Sequence, residues 1–337
     1  MSSLKIDVFP HIFTPRVFDR LRDIRPTFVN SSNVQTRPSL WNVDERFRMM
    51  DRFDGYVQVL TLSQPPIELL AEGQPAADLA MLANDEMAEL CRRHPDRFLG
   101  FAASLYMDDV DAAIREMDRA VRQLGALGVQ VFSNVKGHPL DEPRFEPFYA
   151  RLAELNKILW LHPIRTIDHP DYPTETQSKY GLFFKLGWPY ETSVAISRLI
   201  FSGVMDRYPG LRAITHHAGG IIPHLSGRIA LQHENAEQRA GLGVPDEYDT
   251  EHTLALYRRF YGDAVFSGAH APLECAIDFY GADHIVFGTD FPYGEEGGAV
   301  FIRETIAAIE ELSDPAARQA IFETNARKLL NLRKLSL

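Results

Sequence analysis

Eight short runs of aliphatic, β-branched and aromatic residues, spread over almost the whole chain, limit what this sequence can build. They are LKIDVF (4–9), YVQVLTL (56–62), FLGFAAS (98–104), GVQVFSN (128–134), KILWLH (157–162), LRAITHH (211–217), DAVFSG (263–268) and HIVFGTD (284–290). Their near-continuous apolar character suits strands covered on both faces. Helical patterns lie between them. Val110, Ile114, Met117, Val121 and Leu124 recur at helical steps, with Gly125 following as a stop. Leu79, Leu82, Met87 and Leu90 mark a second stripe, closed by His94-Pro95, and Phe145, Phe148, Leu152 and Leu155 a third.

Strands alternating with helices at this length fit an α/β chain closed into one (β/α)8 TIM barrel over residues 1–337. A doubly wound open sheet is the competitor. It does not explain why runs 1, 5, 6 and 8 end on or beside ligand-type residues: His11, His162, His216–His217 and Asp290. A barrel carries every strand C-terminus to one face, so residues from opposite ends of the chain can meet there. Two stretches break the rhythm, about 14–43 and 163–190, and both read as loop insertions overhanging that face.

Composition narrows the partners. Hydrophobic content of 45% with 24% charged residues is globular. A net charge of −11 argues against a nucleic-acid or anionic-membrane surface, so an anionic substrate must be met by locally placed arginines. No apolar run reaches membrane-spanning length, and the N-terminus shows no signal-peptide pattern. Cys91 and Cys275 form no C-x-x-C pair, so no disulfide framework is expected. A cytoplasmic protein is the expectation.

Taken singly, the candidate residues are ambiguous. His162 ends an apolar strand before Pro163, and neutral imidazole is a good ligand for zinc and similar ions. Asp290 follows IVFG, where a lone carboxylate is costly to desolvate unless paired or metal-bound. His216 and His217 are adjacent, so in a strand only one can face the site. Arg37 and Arg165 are placed to bind a carboxylate through paired donors, and Asn134 and Lys136 follow the fourth strand. Arg46 and Arg48 lie on a helix whose Phe47, Met50 and Phe53 turn inward, which leaves both arginines to solvent.

Together, IDVFPHIF, WLHP (160–163), THHAGGIIPHLSGRI (215–229) and GADHIVFGTDFPYG (281–294) resemble the amidohydrolase-2 branch of the amidohydrolase superfamily, in particular its aminocarboxymuconate-semialdehyde decarboxylase-like members. MDRFDGYVQVLTLS (50–63), AELCRRHPDRFLGFAASL (88–105) and NARKLL (325–330) extend the likeness over nearly the full chain. The resemblance implies a distorted metal-dependent barrel, with one divalent ion held by a strand-1 His-x-His, a strand-5 histidine and a strand-8 aspartate. By position these are His11, His162 and Asp290. It makes His217, six residues before Pro223, the acid–base histidine, and Arg37 the loose counterpart of a substrate-binding arginine. A homodimer is implied by the same likeness.

One position departs from the pattern: Phe9 stands where the first histidine belongs. Three readings stay open. The ion is held by His11, His162 and Asp290, with His217 contributing; Asp7 reaches in; or the site is metal-poor and has another role. The expected activity is non-oxidative decarboxylation of a small unsaturated or aromatic carboxylic acid, with zinc ahead of manganese or iron. A hydrolase acting on an ester, lactone or C–C bond with the same parts is the alternative. A non-catalytic or partner-dependent subunit is a third.

Overall fold

In the computed structural model, residues 4–231, 241, 243 and 249–332 are described. The eight barrel strands are β1 (Lys5–Asp7), β2 (Tyr56–Leu62), β3 (Phe98–Ser104), β4 (Gly128–Phe132), β5 (Ile158–His162), β6 (Arg212–Thr215), β7 (Tyr261–Asp263) and β8 (Ile285–Val286). Each pairs in parallel with its sequence neighbour. The ring is drawn together where Val8 N donates to Phe287 O at 3.0 Å and His11 N to Phe291 O at 2.6 Å.

Side chains separate into two layers. Ile6, Val8, Val57, Val59, Ile158, Trp160, Ile214 and Val286 fill the interior with Ala326, Leu329 and Leu330 of the last helix. A larger layer packs strands against the surrounding helices. The helical stripes form Gly73–Arg93, Val110–Gln123 and Glu146–Glu154. Gly125 has φ 79°, the left-handed geometry that glycine adopts freely at a helix end.

Three differences from the sequence reading matter. The stretch 14–43 is not an open loop: Pro15–Ile24 is a helix with Val17, Phe18 and Leu21 buried. The stretch 163–190 is shortened by the turn Leu182–Lys185 and by the helix Gly187–Phe201. Runs 6 and 8 hold shorter strands than their apolar lengths suggest, because the chain leaves the sheet before His216 and before Asp290. The seventh strand lies upstream of its expected run 263–268, overlapping it only at Asp263. Both cysteines are free and partly buried. No helix among the described residues is long and apolar enough to cross a membrane.

Candidate metal centre

The floor of the site is made from four chain segments. Along β5, Ile158 and Trp160 point into the barrel, and His162 continues that alternation at the strand end. On the first segment, Asp7 pairs with Gln58 and His11 with Thr61, four steps on one side against three on the other. The extra residue is a bulge beside the site, a device that re-aims side chains. Asp290 follows β8 with φ 62°, which aspartate tolerates better than most residues. His216 follows β6, and ligand atoms of His11, His162, His216 and Asp290 all lie within 4.8 Å of one another.

The hydrogen bonds behind these rings decide their tautomers. His162 Nδ1 lies 2.6 Å from Pro163 O, and His216 Nδ1 lies 2.5 Å from Asp263 Oδ2. His11 Nδ1 lies 3.2 Å from Thr61 Oγ1, whose own proton goes to Pro10 O at 2.6 Å. Each Nδ1 therefore carries a proton and donates it, which leaves each Nε2 with a lone pair. Those three Nε2 atoms are buried without a hydrogen-bond donor. His11 Nε2 faces Asp290 Oδ1 at 3.0 Å, acceptor against acceptor, an arrangement that calls for a cation between them. The donor set fits a divalent ion, and the outer hydrogen bonds are those that orient metal-bound imidazoles.

The electrostatics agree. Burial and the neighbouring histidines drive His162 well below its ordinary value, and burial lowers His11 against the pull of Asp290. Burial opposes ionisation of Asp290, but His11 and His216 outweigh it and hold the carboxyl far below the usual range. With no ion bound, burial works against charge on His216, yet Asp263 and Asp290 raise it to about 9, so a proton takes the Nε2 position that the ion would otherwise occupy. A site that attracts a proton this strongly also attracts a metal ion.

The sequence reading put His217 in the site and His216 outside, and the structure corrects the second half of it. β6 ends at Thr215, and His216–Gly219 is a 3₁₀ turn with His217 and Ala218 at φ 53° and 46°. Strand alternation no longer applies there. His216 joins the cluster, while His217 lines the cavity above it, with ring centroids 4.1 Å apart. Burial and His216 push His217 down to about 3, so its ring is neutral, and Nδ1 has no partner.

Above the floor opens a cavity of about 1270 Å³, walled by Phe28, Phe184, Trp188, Phe266, Tyr293 and Phe301 and reaching His217 and Asp290. Arg37 and Arg165 both line it, but differently. Arg165 Nη1 is paired with Glu191 at 3.0 Å. Arg37 Nη1 donates to Asn33 O and Oδ1 at 2.6 and 2.8 Å, its guanidinium lies 5.5 Å from the Tyr293 ring centre, and Nε is buried without a partner. Asn134 is committed elsewhere, donating to Ile164 O at 3.1 Å and accepting from Gly137 N at 2.9 Å. Lys136 is tied to Glu72 and Asp108. Asp7 does not reach in: it accepts from Phe9 N, Tyr56 OH and the Thr289 N–H and hydroxyl, and burial raises it to about 6.

Two residues in the frame were missed. Arg46 is fully buried rather than solvated, donating to His11 O at 2.8 Å, Gln58 Oε1 at 2.8 Å and Ser39 O at 3.2 Å. Its spacing to Met50, one helical turn on, was the available signal. Asp263, which opens the apolar run DAVFSG, is fully buried behind His216. An acid in that position needs a partner, and the sequence alone did not say which.

Fold and donor set define a TIM-barrel protein with a single divalent-metal site. The chain belongs to the amidohydrolase family, whose model matches residues 10–332. It is 34% identical over 307 residues to a gamma-resorcylate decarboxylase of Rhodococcus jostii, covering 86% of this chain and 87% of that protein. It is 29% identical over 292 residues to the 2-amino-3-carboxymuconate-6-semialdehyde decarboxylase of Dictyostelium discoideum, covering 87% and 77%. The crystal structure of a dihydroxybenzoic acid decarboxylase from Polaromonas sp., with bound manganese and the inhibitor 2-nitroresorcinol, superposes with a TM-score of 0.79 at 27% identity, covering 99% and 98% of the two chains.

Proposed function

We propose that this barrel is a metal-dependent, non-oxidative decarboxylase of a small aromatic or unsaturated carboxylic acid, a carbon–carbon lyase. The observation that carries the reading is one cavity with metal-ready nitrogens and Asp290 at its floor and unspent Arg37 donors on its wall. The relatives named for such decarboxylations match most of the chain and supply the reaction class.

A divalent ion held at the floor supplies Lewis-acid polarisation of the substrate's oxygens when bound. The residues do the rest. Arg37 orients the substrate through a charge-assisted contact to its carboxylate, and Arg165, already neutralised by Glu191, shapes the wall beside it. His217, which lines the cavity beside Asp290, is the group placed to hold or take the proton of a substrate hydroxyl or of water. Asp290 is ionised at rest, so it must first receive a proton, either the one taken from the substrate hydroxyl or water by His217 or one from solvent. It then delivers that proton to the carbon bearing the carboxyl group. The bond to the carboxyl carbon then breaks, its electron pair returns to the ring, and CO2 leaves with a proton in its place.

Zinc is the expected ion, with the manganese of the Polaromonas structure as its first rival; a cytoplasmic homodimer is the expected form. CO2 release from metal-loaded protein across hydroxybenzoates and muconate-type acids tests the reading. Turnover of esters or lactones with no CO2 release would replace it with the hydrolase. Failure to take up any divalent metal on reconstitution would leave the non-catalytic subunit.

A further inference from the structure

The cluster draws one nitrogen from a place that the resemblance does not assign. Strand 1 offers His11 alone, and the position of its expected first histidine holds Phe9. The Phe9 ring is fully buried, with its centre 4.4 Å from that of His216, 6.0 Å from His162 and 6.1 Å from His11. It carries no lone pair, so it fills the floor without contributing a donor. His216 lies on that ring with Nδ1 held at 2.5 Å by Asp263 and Nε2 3.6 Å from Asp290 Oδ1.

Asp263 is itself fixed. Its Oδ1 lies 3.2 Å from Val265 N and 3.4 Å from Ala218 N, so a backbone amide on either side of the site holds the carboxylate. His216 thus has one face seated on Phe9, one nitrogen committed to Asp263, and the other nitrogen aimed at the cluster. The left-handed turn that follows keeps His217 out of that position.

We propose that His216, seated on Phe9 and oriented by Asp263, is the metal ligand that takes over from the missing strand-1 histidine. The ion is then held from four chain segments, after strands β1, β5, β6 and β8, instead of twice from the first. Asp263 is a positioning residue: it keeps the Nε2 lone pair toward the ion and strengthens it as a donor, a role whose loss typically weakens metal binding about 10–100-fold.

Chelator competition with zinc or manganese alone, on the full-length protein, tests this without reference to turnover. His216→Ala should weaken metal binding more than Asp263→Asn, which in turn should weaken it about 10–100-fold. His217→Ala should leave the affinity within about threefold. The double variant Phe9→His/His216→Ala should recover at least about tenfold of what His216→Ala loses. Wild-type affinity in His216→Ala, or loss confined to His217→Ala, overturns the proposal. If the variants do not fold, X-ray absorption on the metal-loaded wild-type protein decides, by counting imidazoles. His11, His162 and His216 give three, and a count of two rejects it. The proposal rests on the metal site and not on the reaction, so a protein that binds metal through His216 but releases no CO2 would refute the decarboxylase alone.

Discussion

At the floor of the cavity, each of the three clustered imidazoles has its Nδ1 proton assigned to an acceptor, and Asp7 beneath them receives four hydrogen bonds. On the wall, Arg37 keeps a buried Nε without a partner and Ile167 and Phe184 are exposed, while Tyr172, Tyr180 and Leu186 are exposed elsewhere along 163–190. The floor is held by strand ends and buried polar contacts, and the wall by helices, short helical turns and the chain between them. A floor that fixes lone pairs in place suits one chemistry, whereas a wall with spare donors and apolar surface can be altered without disturbing it.

If that contrast is right, the heaviest losses come from the floor. Asp290→Asn should lower kcat by about 10²–10⁴-fold with the fold intact, read as CO2 release beside a circular dichroism spectrum. Arg46→Met should follow, since it strips the donor from the His11 and Ser39 carbonyls and from Gln58. A loss of about 3 kcal/mol is expected in urea unfolding, and a loss below about 1 kcal/mol would show the floor to be less tightly tied than its hydrogen bonds suggest.

Glu68 sharpens the comparison from outside the site. Unlike Asp7, this buried carboxyl has an oxygen without a donor, and burial raises it to about 7. Its folded value lies above its unfolded value of 4.5, so its favourable contribution is present below that pH and is lost as pH rises through 7. Glu68→Gln should therefore stabilise the protein by up to about 3 kcal/mol above pH 8, with the gain vanishing near pH 4. Equal stability of the two proteins across that range would mean that water or a rearrangement satisfies the group.

The smallest effects belong to the wall. Arg37→Gln should raise KM by about tenfold with kcat nearly unchanged, the signature of lost ground-state binding. Arg165→Gln should change KM by less than about threefold, because Glu191 already balances its charge. The reverse order would exchange the two arginines.

The barrel was legible because buried parallel strands write long apolar runs, and the bilateral covering of β2, β3 and β5 leaves little ambiguity. His11, His162 and Asp290 were legible as suitable side chains at strand ends. His216 was left out because the six-residue spacing to Pro223 favoured His217 and two adjacent strand residues cannot both face inward, whereas the strand ends at Thr215 and the turn that follows brings His216 to the cluster. Arg46 was misplaced because three aromatic and sulfur-bearing neighbours dominated the helical pattern, although Met50 shares its face. The Asp263–His216 contact joins the end of one strand to the turn after another, and no local pattern in a single sequence reports such a pair. Asn134 had a fitting side chain and a fitting position, but its own hairpin turn uses the amide oxygen and Ile164 O takes the amide N–H.

The glycine turn after the two histidines bears on how this protein could be rebuilt. A Cβ on Gly220 would come within 2.1 Å of Pro189 O and 2.6 Å of Ser193 Oγ. The Ser193 hydroxyl in turn donates to Pro189 O at 2.7 Å and accepts from Ile221 N at 2.9 Å. The chain that brings His216 to the floor is thus moulded against the helix that continues the entrance segment. A graft of another protein's entrance onto this barrel can be free up to about residue 187, but must keep Pro189 and Ser193 if the histidine turn is to survive.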